Sequence, residues 1–225
     1  MLGKSHLLVG AAGYLTIGQT LLVASGHKPT AAEMICGVVV CAGAAMLPDI
    51  DHPQATVSRA LGPVTQELAK VVAKICGGHR KGTHSLLFAL ACVMLANWGF
   101  STHFGRFVEF GLAFFFTSLC VQTLTEAGGA VSAAISGGVA SVMIMATTNA
   151  EWLALAIGLG CLLHIAADFV TTDGVAIMWP LSKQTFRFPI VGRTGGRRER
   201  IVAVCAGLLA VWVYAQAIVL PVLMH

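Results

Sequence analysis

Long apolar runs, bounded by charges or by turn residues, dominate the sequence. A helix that crosses a membrane needs about 20 mostly apolar residues. Seven runs come close to or reach that length, at 6–24, 31–47, 84–100, 107–123, 129–146, 152–170 and 201–223. The pattern predicts an all-α fold, a polytopic transmembrane helical bundle of about seven spans. We expect a single membrane-embedded domain over residues 1–225.

Three of these runs leave alternatives open. Glu109 and Glu126 crowd the run 107–123, and the run 129–146 contains Ser and paired Gly, so the two could form a re-entrant pair. That change would alter the number of spans but not its parity. The first run resembles a signal peptide, but its apolar stretch exceeds the usual ~7–15 residues, and we interpret it as a retained span.

Two long loops separate the spans, at about 48–83 and 171–200. In the first loop, apolar residues recur at a spacing of three and four, and the charged residues lie on other faces. The apolar residues are Val57, Leu61, Val64, Leu68, Val71, Val72 and Ile75. This spacing predicts an amphipathic helix, lying on the inner membrane surface or packed against the protein's own helices.

The composition supports residence in a membrane. Hydrophobic residues make up 56% of the chain and charged residues 11%, against about 25% charged in average soluble domains. Disordered chains, collagens and disulfide-stapled scaffolds are thereby excluded. The 7 Cys are scattered singly, as expected of small buried hydrophobes. A net charge of +4 is too small to indicate a nucleic-acid partner, so we expect membrane lipids as partners instead.

The basic residues predict an orientation. With the N-terminus in the cytoplasm, 12 of the 14 Lys and Arg fall in inner segments and only Lys28 and Arg106 in outer ones. Positive charge is enriched on the cytoplasmic side of membrane proteins. We therefore expect a multi-pass protein of the inner, cytoplasmic membrane, with both long loops in the cytoplasm.

Candidate chemistry is concentrated at one end of the predicted bundle. All four Asp of the chain fall in two short windows, and five of the 8 His lie with them or at the inner ends of the first and third spans. Read singly, each cluster has an ordinary explanation: a solvated turn, a helix cap, or an intrahelical hydrogen bond between His164 and Asp168. Together they predict a metal site, because ionisable groups at membrane-embedded helix ends are costly and are normally paired.

The donor types define the expected ion. Imidazole and carboxylate without thiolate suit Zn²⁺, our first choice, or Mn²⁺ or Fe²⁺. The candidate ligands are His6, Asp49, Asp51, His52, His84, His164 and Asp168. They outnumber the three or four that one catalytic zinc takes, so two ions are plausible. Two-metal sites are typical of phosphoester hydrolysis.

Three further residues are candidates for catalysis. Arg80 carries a guanidinium that suits bidentate contacts to a substrate phosphate. His79 and Asp173 are candidates for a general acid or base, or for orienting a ligand. With these roles the sequence predicts a phosphoesterase that acts on a lipid or lipid-linked phosphate at the cytoplasmic face.

The same motifs resemble those of the YdjM-like family of membrane-bound, metal-dependent hydrolases. The resemblance rests on His6, on the segments 48–52 and 79–85, and on the segment 164–174 with Pro180 following. It implies a polytopic inner-membrane protein with hydrolase activity and leaves the substrate open. The reliance on His and Asp from helices is also analogous to helical zinc phospholipases and nucleases, as a guide to reaction type only.

The main alternative is a non-catalytic transporter or ion-binding membrane protein. Transport sites usually lie near the bilayer midplane on broken helices, whereas these candidates gather at one face. An intramembrane metalloprotease would commonly use a His-Glu-x-x-His helix, and the sequence contains none.

Overall fold

The computed structural model describes residues 1–125, 129–147 and 151–216, and within them the chain is helical without a named strand. The helices in chain order are α1 (Gly3–Gly13), α2 (Gln19–Ala24), α3 (Ala31–Ala44), α4 (Thr56–Arg59), α5 (Pro63–Ile75), α6 (Leu86–Phe100), α7 (Gly105–Thr125), α8 (Gly129–Ala146), α9 (Glu151–Phe169) and α10 (Arg197–Tyr214). A π-helical turn, Tyr14–Gly18, joins α1 to α2. A 3₁₀ turn, Leu47–Asp51, lies between α3 and α4, and a second one, Gly82–His84, lies just before α6.

The helical membrane fold is confirmed, but the count of seven spans is not. Five helical segments are long and apolar enough to cross a membrane: Gly3–Ala24, Ala31–Asp51, Gly105–Thr125, Gly129–Ala146 and Trp152–Phe169. Helix α6 is apolar but has only 15 residues, about 22 Å of helix against a hydrocarbon core of about 30 Å. Of the last predicted span, residues 217–223 lie outside the described residues, as does Glu126.

The two runs for which a re-entrant pair was the alternative, 107–123 and 129–146, form long helices. Helix α7 has 21 residues and α8 has 18, and both belong to the five candidate spans. They pack against each other, with the Ser118 and Ser132 hydroxyls 3.3 Å apart. The structure therefore has two full-length helices where a re-entrant pair was the alternative.

The predicted amphipathic helix is divided into α4 and α5. The break falls at Gly62, whose φ of 64° favours glycine, and Pro63 follows at the first position of α5. Val57 on α4 is fully buried in the core, whereas Val64 and Ile75 on α5 are exposed. Packing against the protein's own helices is thus realised for α4, whereas the apolar stripe of α5 is exposed.

Helix α3 lies at the centre of the bundle because small residues let its neighbours approach closely. A Cβ added at Gly10 of α1 would lie 2.8 Å from the Cys41 carbonyl oxygen, and one at Gly160 of α9 would lie 2.6 Å from the same atom. Helix α7 approaches α3 just as closely, because a Cβ added at Gly43 of α3 would lie 2.4 Å from the Phe116 carbonyl oxygen of α7. Packing of this kind stabilises helix association where lipid removes the hydrophobic driving force.

The close contact at Gly160 makes a specific prediction. Because the added methyl group would meet backbone atoms that cannot rotate away, Gly160→Ala should destabilise the protein by about 1–3 kcal/mol. Gly138→Ala, on the open face of α8 where nothing lies within 4 Å, is the matched control and should be neutral or slightly stabilising. Thermal unfolding in detergent compares the two; equal midpoints would contradict the packing argument.

Candidate metal centre

Four chain segments bring the predicted site together at one end of the bundle. His6 lies in the first turns of α1, and Asp49 lies in the 3₁₀ turn that follows α3. His84 lies in the 3₁₀ turn before α6, and His164 and Asp168 lie in the last turns of α9. Residues 6, 84, 164 and 168 are almost completely buried. The convergence predicted from helix ends is therefore present in the fold.

The two central imidazoles face each other with their Nε2 atoms 3.0 Å apart, in His84 and His164. His164 Nδ1 lies 2.7 Å from the Ala45 carbonyl oxygen, which only accepts hydrogen bonds, so Nδ1 carries the proton. The Thr83 hydroxyl donates to Asp51 Oδ2 at 2.7 Å, and it therefore accepts from His84 Nδ1 at 3.0 Å. Both Nε2 lone pairs are left facing one space, an arrangement that a cation between them would stabilise.

His6 adds a third imidazole to this space. Its ring stacks on that of His164 with centroids 3.7 Å apart. It is 1% exposed, and neither ring nitrogen makes a hydrogen bond of normal geometry, although Nε2 lies 3.4 Å from Asp168 Oδ1. A buried polar group left without a partner costs about 1–3 kcal/mol, so this orphaned ring fits a missing ligand partner.

The donor atoms form three overlapping groups in which all members lie within 4.8 Å of one another. The groups are His6, Asp49 and His164; Asp49, His79 and His84; and His84, His164 and Asp168. Asp49, His84 and His164 each belong to two groups, so the cluster has the form of a shared site. Nitrogen and oxygen donors in this number fit one or two divalent ions such as Zn²⁺.

Three residues have surroundings that differ from their predicted roles: Asp51 and His52 lie outside the groups of candidate ligands, and His79 lies within one. Asp51 belongs to none of the three groups; its carboxylate instead accepts from Thr83 and lies 2.8 Å from His79 Nδ1. His52 is also outside the groups, with its ring centroid 5.0 Å from that of His79. His79 itself, predicted as an acid or base, lies among the ligands. Burial opposes protonation of its ring, but the hydrogen bond and charge of Asp51 raise the pKa of His79.

Arg80 borders the cluster on the side of the second long loop. Its Nη2 lies 3.2 Å from Asp168 Oδ2, and its Nη1 lies 3.4 Å from Asp173 Oδ2 and 3.1 Å from the Thr171 hydroxyl. Its backbone has φ of 62°, a conformation that is rare outside glycine, and the Ala176 N–H donates to its carbonyl at 3.0 Å. Asp173 is mostly exposed and belongs to none of the three groups, so its contact with the guanidinium is what connects it to the cluster.

Glu199 is a buried positioning residue that sequence reasoning missed. Its carboxylate accepts hydrogen bonds from the Leu2 N–H at 2.6 Å, the Ser5 hydroxyl at 2.7 Å and the Gly195 N–H at 2.8 Å. These bonds fix the start of α1, and with it His6, against the start of α10. The only signal in the sequence is a single acid within the basic run 197–200.

Fold and site together define a helical membrane protein with a buried His and Asp cluster at one end of its bundle. The chain belongs to the family described as YdjM inner membrane protein, whose model matches residues 1–223. The resemblance drawn from the motifs is thus confirmed. The name of the family gives a membrane location and no reaction.

Individual relatives are distant. The chain is 28% identical over 168 residues to inner membrane protein YdjM of Escherichia coli K12. The aligned region covers 74% of this chain and 61% of that relative. The figures for inner membrane protein YdjM of Shigella flexneri are the same. The chain thus spans about three fifths of the length of these two relatives. It is 27% identical over 208 residues to the uncharacterized protein YvsG of Bacillus subtilis 168, covering 90% of this chain and 87% of the relative. No solved structure matches the chain.

The chain of bonds from Asp51 through Thr83 to His84 makes a testable prediction. Thr83→Val keeps the shape of the side chain but leaves the His84 Nδ1–H without an acceptor, so His84 is no longer held with its Nε2 lone pair toward the cluster. We expect zinc affinity to fall by about 10–100-fold, as for other residues that orient metal ligands. Thr83→Ser retains the hydroxyl and should bind zinc like the wild type. Competition with a chromogenic chelator measures both; equal affinity in the two variants would contradict the orienting role.

Proposed function

We propose that this protein is a metal-dependent hydrolase, a phosphoesterase that acts on a lipid or lipid-linked phosphate at the cytoplasmic face of the inner membrane. The observation that carries the proposal is the pair of facing Nε2 atoms in His84 and His164, with Asp49 and Asp168 oxygens within 3.5–3.8 Å of them. This donor arrangement suits divalent cations, Zn²⁺ first and Mn²⁺ or Fe²⁺ as alternatives.

The surroundings of the cluster suit a phosphate substrate. When bound, two divalent ions would activate water and stabilise the attacking and leaving oxygens of a phosphoester. Arg80 lies at the edge of the cluster with its guanidinium against Asp168 and Asp173, in position to bind a non-bridging phosphate oxygen. His79 is partly exposed and hydrogen-bonded to Asp51, in position to hold or deliver a proton at the reaction centre.

The cluster has a route to the outside. A cavity of about 170 Å³ lies beside Asp49, whose side chain is 21% exposed, and Gln54 and Thr56 line it with polar groups. The ligands at 6, 84, 164 and 168 are more deeply buried, so substrate would approach from the side of Asp49 and His79. The exposed apolar stripe on α5 begins just beyond α4, which lines this cavity through Thr56 and Val57. An amphipathic helix at this point favours a substrate drawn from the membrane over a soluble one.

The location of the cluster favours hydrolysis over transport. Its ligands lie at the ends of α3, α6 and α9, whereas binding sites of secondary transporters lie near the bilayer midplane on broken helices. A site at one end of the bundle can meet a membrane-borne headgroup without a pathway to the opposite face.

Metal content tests the first half of the proposal. The purified wild-type protein should contain one or two zinc ions per chain, and His84→Ala and His164→Ala should each lose at least one, since each residue belongs to two ligand groups. His103→Ala, an exposed histidine in the loop between α6 and α7, is the matched control and should keep the wild-type content. Elemental analysis by mass spectrometry gives the stoichiometry. Unchanged content in both cluster variants would refute the metal assignment.

Turnover tests the second half. The wild-type protein, loaded with zinc or manganese in detergent, should release phosphate or a phosphorylated headgroup from at least one phospholipid or polyprenyl phosphate. Asp168→Asn should reduce the rate by at least about 100-fold, because it removes a ligand charge and the partner of Arg80. Ion flux across proteoliposomes with no turnover of any of these substrates would instead establish the transport alternative.

A further inference from the structure

A second cavity, separate from the metal cluster, lies between α7, α8 and the turn that joins α4 to α5. Its volume is about 430 Å³, and its polar lining comes from Arg59, Ser118, Gln122 and Ser132. None of these residues belongs to the candidate metal centre. Helix α4 separates the two cavities, because Thr56 and Val57 line the smaller one and Arg59 the larger one.

The lining of the cavity changes from polar to apolar along α7, going away from the C-terminal end of the helix. Phe114, Ser118 and Gln122 all line it at intervals of four residues, so they lie along one face of α7 over about 12 Å of helix. Gln122 is nearest the end of α7, where its Nε2 donates to the Ser118 hydroxyl at 2.9 Å and to the Ala60 carbonyl oxygen at 3.4 Å. Phe114 lies about two turns of α7 further from that end of the helix. Such a gradient matches an amphiphile whose headgroup lies at the helix end and whose chain extends inward.

The mouth of this cavity lies at the same end of the bundle as the metal cluster. The end of α7 is fixed there by Thr123, whose hydroxyl lies 3.0 Å from Met46 Sδ, close in sequence to Asp49. At the mouth, Arg59 is exposed, and within the described residues no carboxylate lies within 4 Å of its guanidinium. An unpaired cation at the opening of a polar cavity is suited to an anionic group.

The apolar stripe of α5 places this mouth at a membrane surface. Leu61, which lines the cavity, lies in the turn just before α5, and Val64 and Leu68 belong to the stripe of α5. All three are about half exposed or more. A helix with such a stripe lies with its apolar side in the boundary between headgroups and acyl chains. The anionic group that reaches Arg59 at this depth is therefore a lipid headgroup rather than a solute.

We propose that the cavity is a binding site for an anionic phospholipid, separate from the catalytic centre. The phosphate of the lipid contacts Arg59, its glycerol and ester groups lie beside Ser118 and Gln122, and the first part of a chain reaches Phe114. Basic pockets between transmembrane helices on the cytoplasmic side are known to suit anionic headgroups. The proposal does not depend on hydrolysis or on bound metal.

The test measures lipid binding to the full-length protein in detergent by native mass spectrometry, with dioleoylphosphatidylglycerol and dioleoylphosphatidylcholine as probes. We expect the anionic lipid to bind more tightly, and Arg59→Gln to weaken its binding by about fivefold. Lys70→Gln is the matched control, because Lys70 is an exposed cation on α5, paired with Glu67 and away from the cavity. It should change the affinity by less than about twofold. Equal losses in the two variants would indicate diffuse surface charge and overturn the site.

Two further measurements separate the remaining outcomes. Ala133→Phe, at an exposed position on the cavity wall, should obstruct binding of both lipids while leaving the thermal midpoint and zinc content unchanged. Unimpaired lipid binding in this variant would place the lipid elsewhere. If free sn-glycerol 1-phosphate at millimolar concentration displaces the lipid completely, the site recognises a soluble anion and the lipid assignment is wrong. Because zinc content is measured in every variant, failure of this proposal is distinguishable from failure of the metal centre.

Discussion

The close packing of three helices against the C-terminal half of α3 is the constraint on which the rest of the structure depends. Glycines at 10, 43 and 160 remove the side chains that would otherwise separate α1, α7 and α9 from α3. This approach brings the Ala45 carbonyl within 2.7 Å of His164 Nδ1. The same contact that holds the bundle together thus also fixes the tautomer and direction of a central imidazole.

Burial then determines the chemistry of the cluster. Charged and polar groups are costly to remove from water unless they are paired or coordinated, and a cluster with three buried histidines and a buried carboxylate carries that cost at the end of a membrane bundle. The structure meets part of it with protein partners: Ala45 and Thr83 for two of the imidazoles, Arg80 and the Met1 amino group for Asp168. His6 makes no hydrogen bond of normal geometry, and the facing Nε2 atoms repel each other unless a cation or proton lies between them.

The features around the cluster connect it to the second long loop and to the exposed apolar stripe of α5. Arg80 contacts Asp168 of α9 and also Thr171 and Thr194 of the second long loop, so the loop is held against the cluster. On the opposite side, α4 forms a common wall between the cavity at Asp49 and the larger cavity at Arg59, and α5 extends from it with an exposed apolar stripe. A buried polar centre is in this way placed close to an exposed apolar surface.

The sequence by itself determined the class of fold, the positions of the apolar helices and the identity of most cluster residues, because hydropathy and the scarcity of Asp are properties of composition and spacing. It could not determine which donors face one another. Asp51 and Asp49 are two residues apart in one turn, yet only the tertiary structure directs Asp49 to the facing histidines and Asp51 to Thr83 and His79. The role of Glu199 could not be predicted from the sequence because its partners, Leu2 and Ser5, are almost two hundred residues away in the chain. The apolar spacing predicted one helix across Gly62 and Pro63, where the structure has a break, and the burial of Val57 and the exposure of Val64 depend on which helices α4 and α5 meet. Contacts between distant segments are decided by packing, and packing depends on the shapes of all the helices together.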